Sequence, residues 1–85
     1  MMRVLSVYPN PAQTNVVINL DLSENDDVEV NVFNSNGSSV YDHIFSLSDG
    51  IQQLDIPLQK LEPGIYLLRV SCEYGDYSGK IVKMK

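Results

Sequence analysis

Residues 61–70, with the sequence LEPGIYLLRV, constrain the fold most, because a sharp turn signal there precedes the longest apolar run of the chain. Pro63 fixes its own φ and Gly64 tolerates a positive φ, so the pair ends whatever precedes it. Beyond this turn, apolar and polar side chains alternate with a period of two, which is the repeat of an extended strand. The segment therefore predicts a strand with one buried face, formed by Tyr66, Leu68, Val70, Cys72 and Tyr74.

Six other segments show strand signals of the same kind, and turns rich in Gly, Pro, Asn and Asp separate them. They cover residues 4–8, 15–22, 28–32, 40–47, 51–57 and 77–84. The first runs into Pro9 and Pro11, which lack backbone donors, so it is predicted to lie at the edge of a sheet or to leave the sheet there. The connector at residues 58–61 carries Leu58 and Leu61, which are expected to close one end of the core. This pattern, with no amphipathic helix, predicts an all-β fold, an immunoglobulin-like antiparallel β-sandwich of about seven strands.

Two turns early in the chain bear on how these strands meet. The polar turn at residues 23–27 leaves two arrangements open, since its flanking strands could form a hairpin or face each other across a sandwich. The next turn, at residues 34–37, contains Asn36-Gly37, and this pair is typical of a type I′ turn with two positive φ angles. We therefore predict a tight hairpin at Gly37.

The last hairpin is predicted from the sequence YGDY at residues 74–77. Gly in the first central position is typical of a two-residue type II′ loop. Such a loop places Tyr74 opposite Tyr77 and Val70 opposite Ile81.

Length and charge limit the function. The chain has 85 residues, enough for one domain, and eleven acidic against six basic side chains give a net charge of -5. This charge argues against a general affinity for nucleic acid or anionic lipid, and no apolar run is long enough for membrane insertion. We expect residues 1–85 to form a single domain that binds no nucleic acid.

Few side chains have the makings of a reactive site. Cys72 is the only cysteine and His43 the only histidine, and no local motif joins them, so we expect no enzyme activity and no cofactor. Cys72 is expected to be a buried, inert thiol because it falls on the apolar face of its strand. The acidic turn at residues 24–27 could offer oxygen ligands to calcium, but it lacks the order of a dedicated loop, so a solvated hairpin tip is the preferred interpretation.

Aromatic residues suggest one alternative class of function. Tyr8, Tyr41, Tyr74 and Tyr77 could form a platform for sugar rings, as in a carbohydrate-binding or adhesive β-sandwich module of a secreted enzyme. The chain has no Trp, and Tyr commonly packs in cross-strand pairs, so strand packing is favoured.

Four sequence blocks, taken together, point to a known family. They are YPNPA at residues 8–12, VNVFNSNG at 30–37, LEPGIY at 61–66 and KIVK at 80–83. In this order they resemble the type A C-terminal sorting domain of the type IX (Por) secretion system of Bacteroidetes. The resemblance implies recognition through residues of these blocks and of the basic C-terminal end: Pro9, Asn10, Pro11, Gly37, Leu61, Gly64, Tyr66, Lys80, Ile81, Val82, Lys83 and Lys85.

The resemblance also implies a biological setting. Such a domain ends a larger secreted protein, whose N-terminal cargo domain enters the periplasm by an ordinary leader and is then secreted or placed on the cell surface. The implied partners are the type IX outer-membrane translocon and a sortase-like surface peptidase that removes the domain and can attach the cargo to lipopolysaccharide. Residues 4–8 supply little of the linker where cleavage usually falls, so we do not expect cleavage within residues 1–85. The expected handle is an exposed C-terminal end, in which Lys80, Lys83 and Lys85 lie beside Ile81 and Val82.

Overall fold

Seven strands and no helix make up the computed structural model, which describes residues 1–85. The strands are β1 (Met2–Tyr8), β2 (Asn15–Leu22), β3 (Asp26–Phe33), β4 (Ser39–Leu47), β5 (Gly50–Pro57), β6 (Gly64–Cys72) and β7 (Gly75–Lys83). A three-stranded sheet has the order β1-β2-β5, a four-stranded sheet has the order β4-β3-β6-β7, and every strand pair is antiparallel. The all-β sandwich predicted from the sequence is confirmed. None of these elements is a helix long and apolar enough to cross a membrane.

The strands pair in a pattern that resolves what the sequence left open. β2 and β3 lie in different sheets, so the polar turn between them connects facing strands of the sandwich rather than a hairpin. β4 pairs with β3 and not with β5. In the constant-type immunoglobulin arrangement the fourth strand pairs with the fifth, whereas here it lies in the sheet that contains β6. β1 lies at the edge of its sheet, as its two following prolines predicted.

The core lies between the two sheets and is apolar throughout. Alternate residues of β2 and β3 are buried, because side chains along a strand point to opposite faces. Leu58 is buried and Leu61 packs against the core from the connector before β6, as expected. The buried apolar set is Met2, Ala12, Val16, Ile18, Leu20, Leu22, Val28, Val30, Val32, Leu54, Ile56, Leu58, Tyr66, Leu68, Val70 and Ile81.

The β6–β7 hairpin differs from its prediction. Its two loop residues are Glu73 and Tyr74, and Val70 pairs with Tyr77 instead of Ile81. The predicted type II′ loop is wrong, because the turn signal is local whereas register is set by the match of two apolar faces along the whole pairing. The observed register differs from the predicted one by an even number of residues, so the side chains within β6 and β7 that were predicted to face inward still do. Tyr74 falls outside the strand and is 53% exposed.

Candidate recognition site

The third block meets the last strand at one end of the sandwich. In the β6–β7 register, Gly64 lies opposite Lys83 and Tyr66 lies opposite Ile81. Tyr66 is buried on the inner face, and its hydroxyl donates a hydrogen bond to the backbone carbonyl of Glu62. Backbone pairing thus holds the start of β6 to the end of β7, and the Tyr66 hydrogen bond ties the preceding turn to β6.

The first block covers the free edge of the same strand. Ala12 forms a parallel bridge with Lys83: the Ala12 N–H donates to the Val82 carbonyl at 2.8 Å, and the Met84 N–H donates to the Ala12 carbonyl at 2.7 Å. Gln13 Nε2 donates to the Lys85 carbonyl at 3.1 Å. Ala12 itself is fully buried.

The Asn10 side chain extends this pairing past a proline. Pro11 has no N–H, so the backbone there has no donor for β7. Asn10 Nδ2 donates to the Lys80 carbonyl at 3.0 Å, and Asn10 Oδ1 accepts from the Val82 N–H at 3.0 Å. A side-chain amide carries the same donor and acceptor as a peptide group, so Asn10 replaces the missing rung of the ladder. The Pro-Asn-Pro sequence thus has a structural meaning that its proline spacing alone does not show.

The second block contributes a turn whose geometry corrects the sequence prediction. Gly37 has φ of 83°, but no residue other than glycine has a positive φ, so the predicted type I′ turn is wrong. Asn34 decides the geometry: its Oδ1 accepts from the N–H groups of Asn36 and Ser38, each at 3.0 Å. The Gly37 N–H also donates to the Asn34 carbonyl at 2.9 Å. Local Asn-to-backbone bonding therefore outweighs the Asn-Gly signal.

All four blocks meet at this end of the sandwich. Asn34 and Ser35 line one surface depression together with the segment from Leu61 to Tyr66. We call this end the motif pole and define it by residues 8–13, 34–37, 60–66 and 80–85. The blocks are far apart in sequence, and antiparallel strand pairing together with the parallel Ala12–Lys83 bridge brings them together.

The structure changes the expected exposure of the C-terminal residues. Lys80 and Lys85 are exposed, but Lys83 is only 7% exposed, and its Nζ donates to the Met84 carbonyl at 2.9 Å. Ile81 is buried in the core and Val82 is half-buried. The expectation of an exposed Lys83 was wrong because Lys83 shares the inward side of β7 with Ile81. Its aliphatic stem is buried while its ammonium reaches a carbonyl.

Comparison with known families agrees with this arrangement. A family model described as a secretion system C-terminal sorting domain matches residues 6–84, which span all four blocks. The chain belongs to this family. No curated protein matches the chain. Membership makes this domain a sorting signal for type IX secretion, which implies interaction with the secretion machinery and a cargo domain N-terminal to it.

The sorting domain has opposite charges at its two ends. All four lysines, Lys60, Lys80, Lys83 and Lys85, lie at the motif pole. The opposite end, which we call the acidic pole, contains the β2–β3, β4–β5 and β6–β7 turns and the start of β1. Its carboxylates are Asp21, Glu24, Asp26, Asp27, Asp49, Glu73 and Asp76.

Local contacts show the same acidic character. The two arginines near this end each lie beside a carboxylate. Arg3 Nη2 is 3.8 Å from Asp21 Oδ2, and Arg69 Nη2 is 3.6 Å from Asp76 Oδ2. The pKa of the Tyr74 hydroxyl is raised above its ordinary value, first by Glu73 and then by Glu24. A positive end and a negative end give the domain a preferred orientation in an external field.

Other candidate residues are not brought together. Tyr8 lies at the motif pole and Tyr74 at the acidic pole, while Tyr41 and Tyr77 lie on the two opposite edge strands of the four-stranded sheet. The structure therefore contradicts a single tyrosine platform. Cys72 is half-buried at the end of β6 rather than fully buried, because the strand stops there.

The acidic turn is tied into its neighbours by hydrogen bonds. Asn25 Oδ1 accepts from the Asp49 N–H at 2.9 Å, and Asp27 Oδ1 accepts from the Ser46 hydroxyl at 3.0 Å. The first contact joins the β2–β3 turn to the β4–β5 connection, and the second joins the start of β3 to the end of β4. No group of three or more His, Cys, Asp or Glu side chains is arranged to hold a metal ion.

Sequence reasoning missed two features at or beside the motif pole. Ala12 and Gln13 pair with the end of β7, and no local pattern reveals a partner about 70 residues away. Ile65 and Leu67 are exposed on the outer face of β6, at 59% and 46%. The sequence does carry a signal for this exposure. Residues 65–68 are all apolar, so both faces of this strand segment are apolar, whereas apolar and polar residues alternate in a half-buried strand.

Asn10→Ala tests the amide that completes the ladder. Losing two net hydrogen bonds should lower the free energy of unfolding by about 1–2 kcal/mol, measured by urea denaturation. The amide proton of Val82 should also exchange faster with solvent, because Asn10 Oδ1 is its acceptor. Asn36→Ala is the matched control, and its effect should stay within about 0.5 kcal/mol. An unchanged Val82 exchange rate in Asn10→Ala would contradict the role given to Asn10.

Proposed function

We propose that residues 1–85 are a single C-terminal sorting domain of a larger secreted protein, and that the type IX outer-membrane translocon reads its motif pole. The translocon then directs the attached cargo out of the periplasm to the medium or the cell surface. The domain itself is non-catalytic and carries an address. The observation that supports this most is the meeting of four separate family blocks at one end of the sandwich, around the start of β6 and the end of β7.

The position of the chain ends supports the same function. Met2 pairs with Leu22 at the acidic pole, whereas Lys85 lies at the motif pole. A cargo domain that precedes β1 would therefore be attached at the acidic pole, on a body of 36 × 22 × 17 Å. The motif pole faces away from the cargo and is free to meet a receptor.

Within the motif pole, different residues have different tasks. Asn10, Pro9 and Pro11 shape the segment that covers β7, Tyr66 and Ile81 hold the strand ends together, and Lys83 anchors the last residues. The turns at Gly37 and at Leu61 to Gly64 set the outline of the pole. The charges offered to a receptor are then those of the exposed Lys80 and Lys85, with the half-buried Val82 between them.

Removal of the domain and surface attachment of the cargo form the finer part of the proposal. A sortase-like surface peptidase would cut upstream of β1, because Met2–Tyr8 is paired with β2 and offers no extended free segment. Backbone held in a sheet resists proteolysis. The cut would release the cargo at the acidic pole and leave the sandwich whole.

Export of a reporter tests the proposal. Residues 1–85 with their native upstream linker are fused behind a signal peptide and a reporter, and reporter outside a type IX-competent cell is measured. The intact fusion should be exported, and deletion of residues 81–85 should leave the reporter in the periplasm. The proposal fails if the intact fusion stays periplasmic in a strain that exports its own cargo.

Truncation also removes Ile81 from the core and the buried Lys83 beside it, so a second variant separates unfolding from lost recognition. Lys80→Glu with Lys85→Glu reverses two exposed charges and should change the unfolding midpoint little. We expect this folded variant to be exported less than the parent. Equal export of the charge-reversed variant would remove the lysines from the recognition site.

A further inference from the structure

An apolar patch lies on the outer face of the four-stranded sheet, next to the motif pole. Ile65 pairs with Val82, and Leu67 pairs with Phe33 on one side and Lys80 on the other. Ile65 and Leu67 are 59% and 46% exposed, and Phe33 and Val82 are half-buried. We call these four side chains the outer patch.

The fold does not account for the outer patch. Tyr66 and Leu68, on the opposite side of β6, supply the core, and nothing in the chain covers Ile65 or Leu67. Further along the same outer face, Arg69 pairs with Asn31 and with Ser78, so the row of side chains next to the patch is polar. The other exposed apolar side chain on this face, Ile44, lies apart from the patch on the edge strand β4. A contiguous apolar area confined to one half of a sheet face is typical of an interaction site.

Charge around the outer patch indicates the chemistry of its partner. Lys80 adjoins Leu67, and Lys60 and Lys85 are exposed at the same pole, while most carboxylates lie at the acidic pole. A partner whose apolar centre is bordered by carboxylates would match this surface and orient the domain with the motif pole first. The net charge of -5 disfavours an anionic lipid surface as the partner.

The pairing of β7 excludes one mode of binding at this place. Asn10, Ala12 and Gln13 already occupy the backbone groups along the outer edge of its C-terminal half. A partner strand cannot add there without displacing the first block. Contact through side chains on the outer face remains open.

We propose that the outer patch, Phe33, Ile65, Leu67 and Val82 with Lys80 at its border, docks on an acid-rimmed apolar surface of the secretion machinery. This inference rests on the proposed function and names the surface through which it acts. The patch supplies the buried centre of the contact, and the lysines supply orientation and rate of encounter.

Paired variants in the reporter fusion test the patch. Ile65→Thr with Leu67→Thr removes the two most exposed side chains of the patch and keeps strand propensity. The matched control is Ile44→Thr with Ile51→Thr, two isoleucines in β4 and β5 that lie outside the outer patch and are 61% and 66% exposed. Export of the patch variant should fall by about tenfold or more, since truncating the centre of an interface has effects of this size. Export of the control should stay within about twofold of the parent.

Each outcome has a distinct meaning. Loss of export by the intact fusion overturns the proposed function, whereas equal export by parent and patch variant overturns only the docking surface. If the double variant melts lower than the parent, the single variants Ile65→Thr and Leu67→Thr are compared at a temperature where all are folded. Patch-dependent binding of the parent to vesicles of phosphatidylethanolamine and phosphatidylglycerol would replace the protein partner with a lipid surface.

Discussion

Tyr66→Ala should lower the free energy of unfolding by about 3 kcal/mol, because it leaves a cavity where two strands meet. Tyr66 is only 8% exposed and lies opposite Ile81, so its ring fills space at the end of the core that alanine would leave empty. The hydrogen bond from its hydroxyl to the Glu62 carbonyl is lost as well. The measurement is the urea midpoint and slope of the purified domain.

Tyr66→Phe separates the ring from the hydroxyl. This variant keeps the buried ring and loses one hydrogen bond, so its cost should be about 1 kcal/mol. The difference between the two variants then reports the contribution of the ring. If Tyr66→Ala keeps the midpoint of the parent, the turn and strand at residues 61–70 do not organise the fold as their sequence pattern indicates.

The strands were predictable because burial imposes a period of two on each of them. Residues 15–22 show this most clearly, and the observed β2 has the predicted bounds, Asn15–Leu22. Register was less predictable, since the turn signal at Gly75 competes with pairing over nine residue positions in β6 and β7. The type I′ prediction at Gly37 failed for a related reason, because the Asn34 side chain reorganises the loop.

The candidate recognition site was predictable as four motifs and not as one surface. Sequence gives the Pro-Asn-Pro segment no partner, and only pairing with β7 shows that the Asn10 amide substitutes for a peptide group. All three lysines of the C-terminal end were expected to be exposed because lysine is rarely buried. Side chains along β7 alternate between the two faces of the sheet, so Lys83 lies on the inner face with Ile81. The two-residue spacing of Ile81 and Lys83 was visible in the sequence.

Lys83 leads to the second large effect, since its position is buried although its residue type is polar. Lys83→Glu should lower the free energy of unfolding by about 2–4 kcal/mol, because it places a carboxylate beside the Met84 carbonyl without a donor. Lys83→Met keeps the length and apolar stem of the side chain and should cost about 1 kcal/mol or less. Lys85→Glu, at an exposed position, should change stability by less than about 0.5 kcal/mol.

The same three variants separate structure from recognition when they are placed in the reporter fusion. Lys83→Met should remain folded and exported, because the ammonium it removes contacts the domain's own backbone rather than a receptor. Lys83→Glu should lose export together with stability. A Lys83→Met fusion that keeps the parent's unfolding midpoint but stays in the periplasm would show that the receptor contacts the Lys83 charge directly. The Lys83 side chain would then have to become exposed on binding.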